Sequence, residues 1–585
     1  MSDLHFRFDL RAPEQRRIVV SLQVGRATLA QATDGADAAE FFLPTWTPGS
    51  YLIREYSKHL GPVLATDLAT EKPLRVEKSH KNRFRVHGLA GITKLRLDYW
   101  VYAHELSVRT CDVTAEHAYW NHACVLLWPV GKKNLTAEVV VDLPQEWSIA
   151  GGCPVVAQPG QARYALPNLD AALDAPFVAG RLQMIDIESR GVTHRLALDG
   201  VDGARIEGKF INDVRTVLER CADVFDGSFP YPRYTFLCLF ANSGYGGLEH
   251  ADSTTLLSPR TALAGGKAYQ EFLGLLAHEL FHAWNVKRMR PAELWDYDYE
   301  VENLTPMLWL AEGWTAYYDD LICRRAQLLT IEDYLAIVAK SMTALWSGMG
   351  RFRQSLHDAS FDAWIRYYRP DENTRNSTQN YYGNGALAAM VLDLTIRKLT
   401  DGARNLDDAI RALYRETFEQ GRGYRLDDVE RCLTQAAGRD IAPLLAELTR
   451  GPLDPDFQPL LAEFGIQMEL IDRDRPYLGF ALESGTTRAQ NVSDDSPAFF
   501  AGIAPGDEVL ALDGLRVTND QWADILRSVA VVGQPMRVLV ATRGVIRERT
   551  ITPIAMPKLG VRFSVDTSAT KQAAMLREGW LGVDA

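Results

Sequence analysis

The sequence predicts a multidomain α+β protein, and three observations carry that prediction. Residues 1–185 read as short strands with alternating apolar positions. Residues 186–455 read as a strand followed by a series of long helical patterns. Residues 456–556 return, after a proline-rich joint, to a compact mixture of strands and helices, and 557–585 form a tail of undetermined structure. A length of 585 residues is enough for several domains. With 47% hydrophobic and 24% charged residues, the composition is that of a globular chain with a large core.

The β character of the first region rests on segments such as "RIVVSLQVG", "KLRLDYWVYAH" and "LTAEVVVDLP", punctuated by Gly, Pro and Asp. Alternation of this kind buries one face of each strand, and a β-sandwich is the expected arrangement. "LPTWTPGSYLIREY" (Leu43–Tyr56), with its two prolines and a Gly-Ser pair, is expected to be an ordered loop. In the second region "YTFLCLFA" (Tyr234–Ala241) reads as a strand leading into the glycine-rich "NSGYGGLEHADSTTLL". Helical periodicity follows over Ala268–Lys287, Thr305–Leu328, Ile331–Met349, Gly385–Leu399, Asp407–Phe418 and Leu426–Ala437. "GPLDPDFQP" (Gly451–Pro459) is the expected linker. Beyond it come "YLGF", "TTRAQNV", "SPAFFAG", "IAPGDEVLALDG", "NDQWADILRSV", "MRVLVAT" and "VIRERTITP", read in turn as loop, strand, helix, turn with strand, helix and two strands.

The formal net charge is −12, and no basic block of nucleic-acid type occurs. Neither nucleic acid nor an anionic membrane is an expected partner. No run of 18 or more apolar residues marks a membrane span. The opening "MSDLHFRFDLRAPEQRR" has no apolar signal core, and the seven scattered cysteines contain no C-x-x-C pair. A cytoplasmic protein with reduced thiols is expected, or a periplasmic one if a leader precedes this sequence.

The chemistry concentrates in "LLAHELFHAWNVKR" (Leu275–Arg288). Four residues of helix advance the chain by about 400°, so His278 and His282 project from one face a turn apart and can reach one tetrahedral zinc ion. Glu279 lies about 100° round from His278, placed to touch a metal-activated water without ligating. A buried helix with two satisfied histidines would carry the same pentapeptide, and a third ligand separates the two readings. Thirty residues after His282, Glu312 interrupts the apolar run Leu308–Ala311 within "TPMLWLAEGWTAYYDD". A carboxylate there is costly to bury unless it is paired or bound to metal. Thr305 and Pro306 are the expected N-cap and first position of its helix. With His278, His282 and Glu312 as ligands for one Zn²⁺ per chain, Glu279 is the expected general base of a hydrolase.

H-E-x-x-H followed by the glutamate of "WLAEGWTAYYD" resembles the gluzincin zinc peptidases. Together with "HELFHAWNVKRMRP", "LPTWTPGSYLIREY" and the C-terminal module, the chain is similar to the glycyl aminopeptidase family within that group, from about residue 40 to 550. The resemblance implies a thermolysin-like catalytic domain and a PDZ-like domain at the C-terminus. It implies that "GGLEH" (Gly246–His250) is an exopeptidase loop, with Gly246 and Gly247 along the substrate backbone and Glu249 on the free α-amine. It implies a transition-state tyrosine in "NYYGNGALAAM", at Tyr382 or its neighbour Tyr381, although Asn384 stands where the pattern has lysine. "YLGF" resembles the loop that receives a peptide C-terminus in PDZ domains, which makes Leu478, Gly479 and Phe480 candidate peptide-binding residues.

The resemblance implies removal of small N-terminal residues, Gly and Ala, from peptides with a free amino end. Three alternatives share parts of the pattern. They are a zinc endopeptidase, a hydrolase of a non-peptide electrophile, and a non-catalytic peptide-binding scaffold.

Overall fold

The computed structural model describes residues 2–583 except 203–205, 207, 472, 558 and 559. Contacts divide the chain into two compact units, residues 1–303 and 304–585.

The first unit opens with an eight-stranded sheet. Leu4–Asp9 runs parallel to Ala137–Asp142 and antiparallel to Arg17–Gly25, which pairs in turn with Lys94–Tyr102. Leu4, Phe6 and Phe8 are buried while their neighbours are not, so one face of this sheet is the core face. That face meets two four-stranded sheets through aromatic rings. Phe6 stacks on Trp128, and Phe8 meets Trp120 edge-on. Leu43–Glu55 forms neither helix nor strand, and its residues from Leu43 to Tyr51 are buried.

The unit then builds a five-stranded sheet in the order Gln183–Ser189, Val192–Asp199, Arg233–Ala241, Ser253–Pro259, Gly246–Glu249. The three middle strands are parallel, and the short glycine-rich strand closes the edge antiparallel. Arg233–Ala241 is covered on both faces. Leu237 and Leu239 pack with Tyr119 and Val178 of the N-terminal sheets, and Phe240 packs on Phe272 of the helix Gly266–Phe281. Burial on both faces explains why this strand reads as an unbroken apolar run. A second helix, Gly208–Val224, lies outside the expected helical segments and packs beside Gly266–Phe281 through Phe210 and Phe272.

The second unit is mainly helical. Gly383–Leu399 crosses Gly313–Arg325 so closely that a Cβ on Gly313 would lie 2.7 Å from the Gly385 Cα. Within the tail, strand Val561–Val565 pairs with Ile466–Leu470, and helix Lys571–Leu581 buries Trp580. Trp580 donates to Tyr317 Oη at 3.0 Å, and Tyr317 donates to the buried Asp393 at 2.6 Å. The last three residues of the expected linker open a helix, Phe457–Ala462, with Phe457 buried. Between Tyr477 and Ile551 lies a module with its own apolar core, including Leu478, Val509, Leu512 and Val538. Its four-stranded sheet runs in the order Leu515–Arg516, Glu508–Leu512, Met536–Thr542, Val545–Ile551. A hairpin of Phe480–Leu482 with Ala489–Val492 and the helices Pro497–Phe500 and Trp522–Val529 complete it. Among the described residues no helix is long and apolar enough to cross a membrane.

Candidate active site

The helix carrying His278 stops earlier than its periodicity implies. It ends at Phe281, and His282 is its C-cap. The two histidine rings still lie together, with centroids 4.7 Å apart and planes at 85°. His282 is 1% exposed, and its Nδ1 meets the Asn285 carbonyl oxygen at 2.6 Å. A carbonyl only accepts, so Nδ1 carries the proton and Nε2 is the bare nitrogen. That is the tautomer a metal ligand needs, fixed by a backbone acceptor behind it.

Glu279 is 5% exposed and Glu249 4%. Carboxylate oxygens of these two residues and a ring nitrogen of His282 lie within 4.8 Å of one another. The glycine strand makes this approach possible. A Cβ on Gly247 would fall 2.2 Å from the Glu279 carboxyl carbon, so any larger residue would displace the glutamate. Glu249 ends the same strand and faces the buried loop from the N-terminal region. At Gly49 (φ +85°) a Cβ would lie 2.4 Å from Glu249 Oε2. The positive φ favours glycine there, and a side chain would also have to push the Glu249 carboxylate aside. Gly49 was not singled out as a site residue from the sequence, although two prolines and a glycine in one short buried loop were its signal.

In the second unit Glu312 is 2% exposed and lies between two helices, Leu308–Ala311 and Gly313–Arg325, rather than within one. Its backbone (φ −100°, ψ −45°) distorts the turn, yet the i→i−4 bonds of Glu312 and Ala316 persist on either side. The helix begins at Leu308 with Met307 as N-cap, two residues later than the expected Thr305 cap, and Thr305 is buried. Tyr382 caps the helix Gly383–Leu399, and its amide donates to Asn380 Oδ1 at 2.9 Å. Its phenol shares a hydrogen bond with Tyr368 at 3.0 Å. Burial, reinforced by the negative charge of Glu312, pushes that phenol well above its ordinary pKa, so it stays protonated. Tyr381 stacks on Tyr382 and is wholly enclosed. Asn384 is buried and donates to Gln379 Oε1 at 3.2 Å.

In the C-terminal module Leu478 is a core residue, 1% exposed, and its carbonyl accepts from Ala498. Gly479 (φ +101°) lies against Ser496, and the Phe480 ring packs on Trp522 at 5.3 Å.

Residues 5–181 match the Peptidase M61 N-terminal domain, and residues 271–388 match the M61 glycyl aminopeptidase domain; together these cover about half the chain. A crystal structure of an aminopeptidase N family protein from Idiomarina loihiensis is 28% identical, with a TM-score of 0.89 over 99% of this chain and 100% of that one. More distant are an M1 zinc metallopeptidase from Deinococcus radiodurans (16% identity, TM-score 0.45, 77% of this chain and 94% of that one) and native yeast LTA4 hydrolase (13% identity, TM-score 0.47, 79% of this chain and 70% of that one). A search of curated proteins finds no match. The chain belongs to the M61 peptidase family and is a metallopeptidase of the zinc aminopeptidase type.

Proposed function

We propose that the protein removes single small residues, Gly or Ala, from the free amino end of peptides, using one zinc ion per chain held by His278, His282 and Glu312. The observation that carries this reading is the buried cluster of Glu249, Glu279 and His282. Two imidazoles and a carboxylate are the donor set of a catalytic zinc site with one position left open. The His282 tautomer and the burial of Glu312 both suit ligation. When bound, zinc supplies Lewis acidity that activates water and polarises the scissile carbonyl.

The protein's own groups divide the remaining work. Glu279 takes the proton of the attacking water and passes it to the leaving amine. Glu249, whose carboxylate packs against Gly49, receives the substrate ammonium, and such an anchor favours an exopeptidase over an endopeptidase. Gly246 and Gly247 present strand backbone to the substrate. The Tyr382 phenol donates to the oxyanion of the tetrahedral intermediate. Its partial exposure supports it over the enclosed Tyr381.

The test is hydrolysis of glycyl-p-nitroanilide and its N-acetyl form by the zinc-loaded protein and by Glu279→Gln. Cleavage of the free amine far faster than of the acetylated form, with both rates lost in the variant, is expected. Equal cleavage of both would move the assignment to an endopeptidase or a hydrolase of other electrophiles.

We divide the chain into domains at 1–185, 186–455, 456–556 and 557–585, and we read 456–556 as PDZ-like. The turn at Leu478–Gly479, the strand after it and the helix Trp522–Val529 support a groove for a peptide C-terminus, floored by Phe480 on Trp522. Binding of a C-terminally free peptide, lost on C-terminal amidation, is the expected behaviour.

A further inference from the structure

The hairpin turn that follows Glu249 is gripped by charged groups from two directions. Asp174 caps the short helix Leu169–Leu173 of the N-terminal region. Its Oδ2 accepts from the Ala251 amide at 2.9 Å. Its Oδ1 meets His250 Nδ1 at 3.1 Å and the Lys287 ammonium at 2.6 Å. Arg288 donates to the Ala251 carbonyl at 2.8 Å and to Asp252 Oδ1 at 2.9 Å, and it also reaches back to the Ala283 carbonyl. Lys287 and Arg288 follow His282 by only five and six residues. The segment leaving the H-E-x-x-H helix therefore holds the turn next to Glu249 directly, and again through Asp174.

Lys287 and His250 have side chains 3% and 2% exposed. Burying an ammonium is costly unless a carboxylate faces it, and Asp174 does. Burial alone would lower the lysine's pKa, but Asp174, together with Tyr297 and Glu249, outweighs it and the net shift is upward. Asp174 is itself held well below the usual carboxylate range, because Lys287 and His250 outweigh its burial. The pair is charged on both sides, so its geometry is strongly enforced.

We propose that Asp174, Lys287 and Arg288 are positioning residues that fix the spacing between Glu249 and the catalytic helix, and thereby set the preference for substrates with a free amino end. The proposal rests on the reading of Glu249 as the amine anchor. An aminopeptidase must hold the ammonium one residue from the bond that breaks. A misplacement of about 1 Å at such a site costs about 100-fold in rate.

The test uses the full zinc-loaded chain with glycyl-p-nitroanilide and N-acetylglycyl-p-nitroanilide, with kcat and KM separated. Zinc content and thermal melts accompany each variant. Asp174→Asn and Arg288→Gln are compared with Glu249→Gln and with Arg195→Gln, which breaks an exposed ion pair to Asp186 in the same sheet. For the two brace variants, kcat/KM on the free amine is expected to fall about 10- to 100-fold. Their residual rate on the acetylated compound should hold, so that selectivity moves towards that of Glu249→Gln while Arg195→Gln keeps the wild-type ratio. A merely structural latch would lower the melting temperature and leave the ratio unchanged, which overturns the proposal. If Asp174→Asn does not fold, Arg288→Gln, which keeps the Asp174–Lys287 pair, decides alone. If Glu249→Gln collapses the ratio and the brace variants do not, only the brace is wrong. If Glu249→Gln itself leaves the ratio unchanged, the anchor reading fails and the brace falls with it.

Discussion

Two regions of the molecule bury side chains for opposite reasons. Around residues 246–290, Glu249, Glu279, His282 and Lys287 are each no more than 5% exposed. In the C-terminal module the core cluster is entirely apolar. The two most buried polar residues there, Ser496 and Asp507, serve neighbouring backbone: Ser496 caps Phe499, and Asp507 accepts from Ala504. Apolar burial gives stability without specificity of charge. Several ionisable groups buried together are costly, and folding alone does not require them. Their concentration at one corner is the physical mark of a reacting site.

The sharpest way to break this contrast is to remove charge from the first region without changing its shape. Glu279→Gln is nearly isosteric. It should cost about 10²- to 10⁴-fold in kcat on glycyl-p-nitroanilide, the range for losing a general base. Its melting temperature should not fall, because a buried carboxylate is being neutralised. A variant that melts lower but turns over normally would mean that Glu279 is structural.

Tyr382→Phe is expected next in size. Loss of one oxyanion donor costs about 10²- to 10³-fold in kcat with KM nearly constant. Tyr381→Phe should fall far short of that, since its ring is enclosed in the core. The reverse ranking would transfer the role to Tyr381.

The module should respond in the opposite currency. Leu512→Ala opens a cavity at a fully buried position and should destabilise the module by about 2–5 kcal/mol. Turnover of a nitroanilide should stay at the wild-type level, because no group that touches this substrate is altered. A parallel loss of kcat would show that the module's packing reaches the chemistry.

Much of the first region was legible in the sequence, because its chemistry is local. H-E-x-x-H places His278, Glu279 and His282 by helical period alone, and the glycine strand before Glu249 is contiguous. The helix end at Phe281 was not legible, because the apolar period of Trp284 continues past it. Residue order showed the break at Glu312 no better: a single distorted turn leaves the i→i−4 pattern intact. The link of Gly49 and Asp174 to Glu249 was hidden for another reason, although the composition of its loop marked Gly49. Each acts on Glu249 or its turn across long stretches of chain, and no spacing rule connects them. The tail escaped assignment because the partner of Val561–Val565 is Ile466–Leu470, about 95 residues away.

His117 tests whether burial of charge always means catalysis. Its Nδ1 meets Asp199 at 2.5 Å and its Nε2 meets Asp112 at 2.9 Å, with the side chain 12% exposed. Burial alone would lower its pKa, but the two carboxylates outweigh it and raise the value to about 9. A pKa raised above the unfolded value of about 6.5 adds stability that is fully present below that pH and is lost as pH climbs through 9. The shift corresponds to about 3 kcal/mol. Thermal unfolding at pH 6 and pH 9.5 should therefore show a larger loss in the wild type than in His117→Gln, while the variant's kcat at pH 7 stays near normal. An identical pH slope in both proteins would show that the imidazolium carries none of this stability. If kcat fell together with the slope, polar burial outside the 246–290 corner would also feed the reaction, and the contrast with the module would have to be redrawn around both sites.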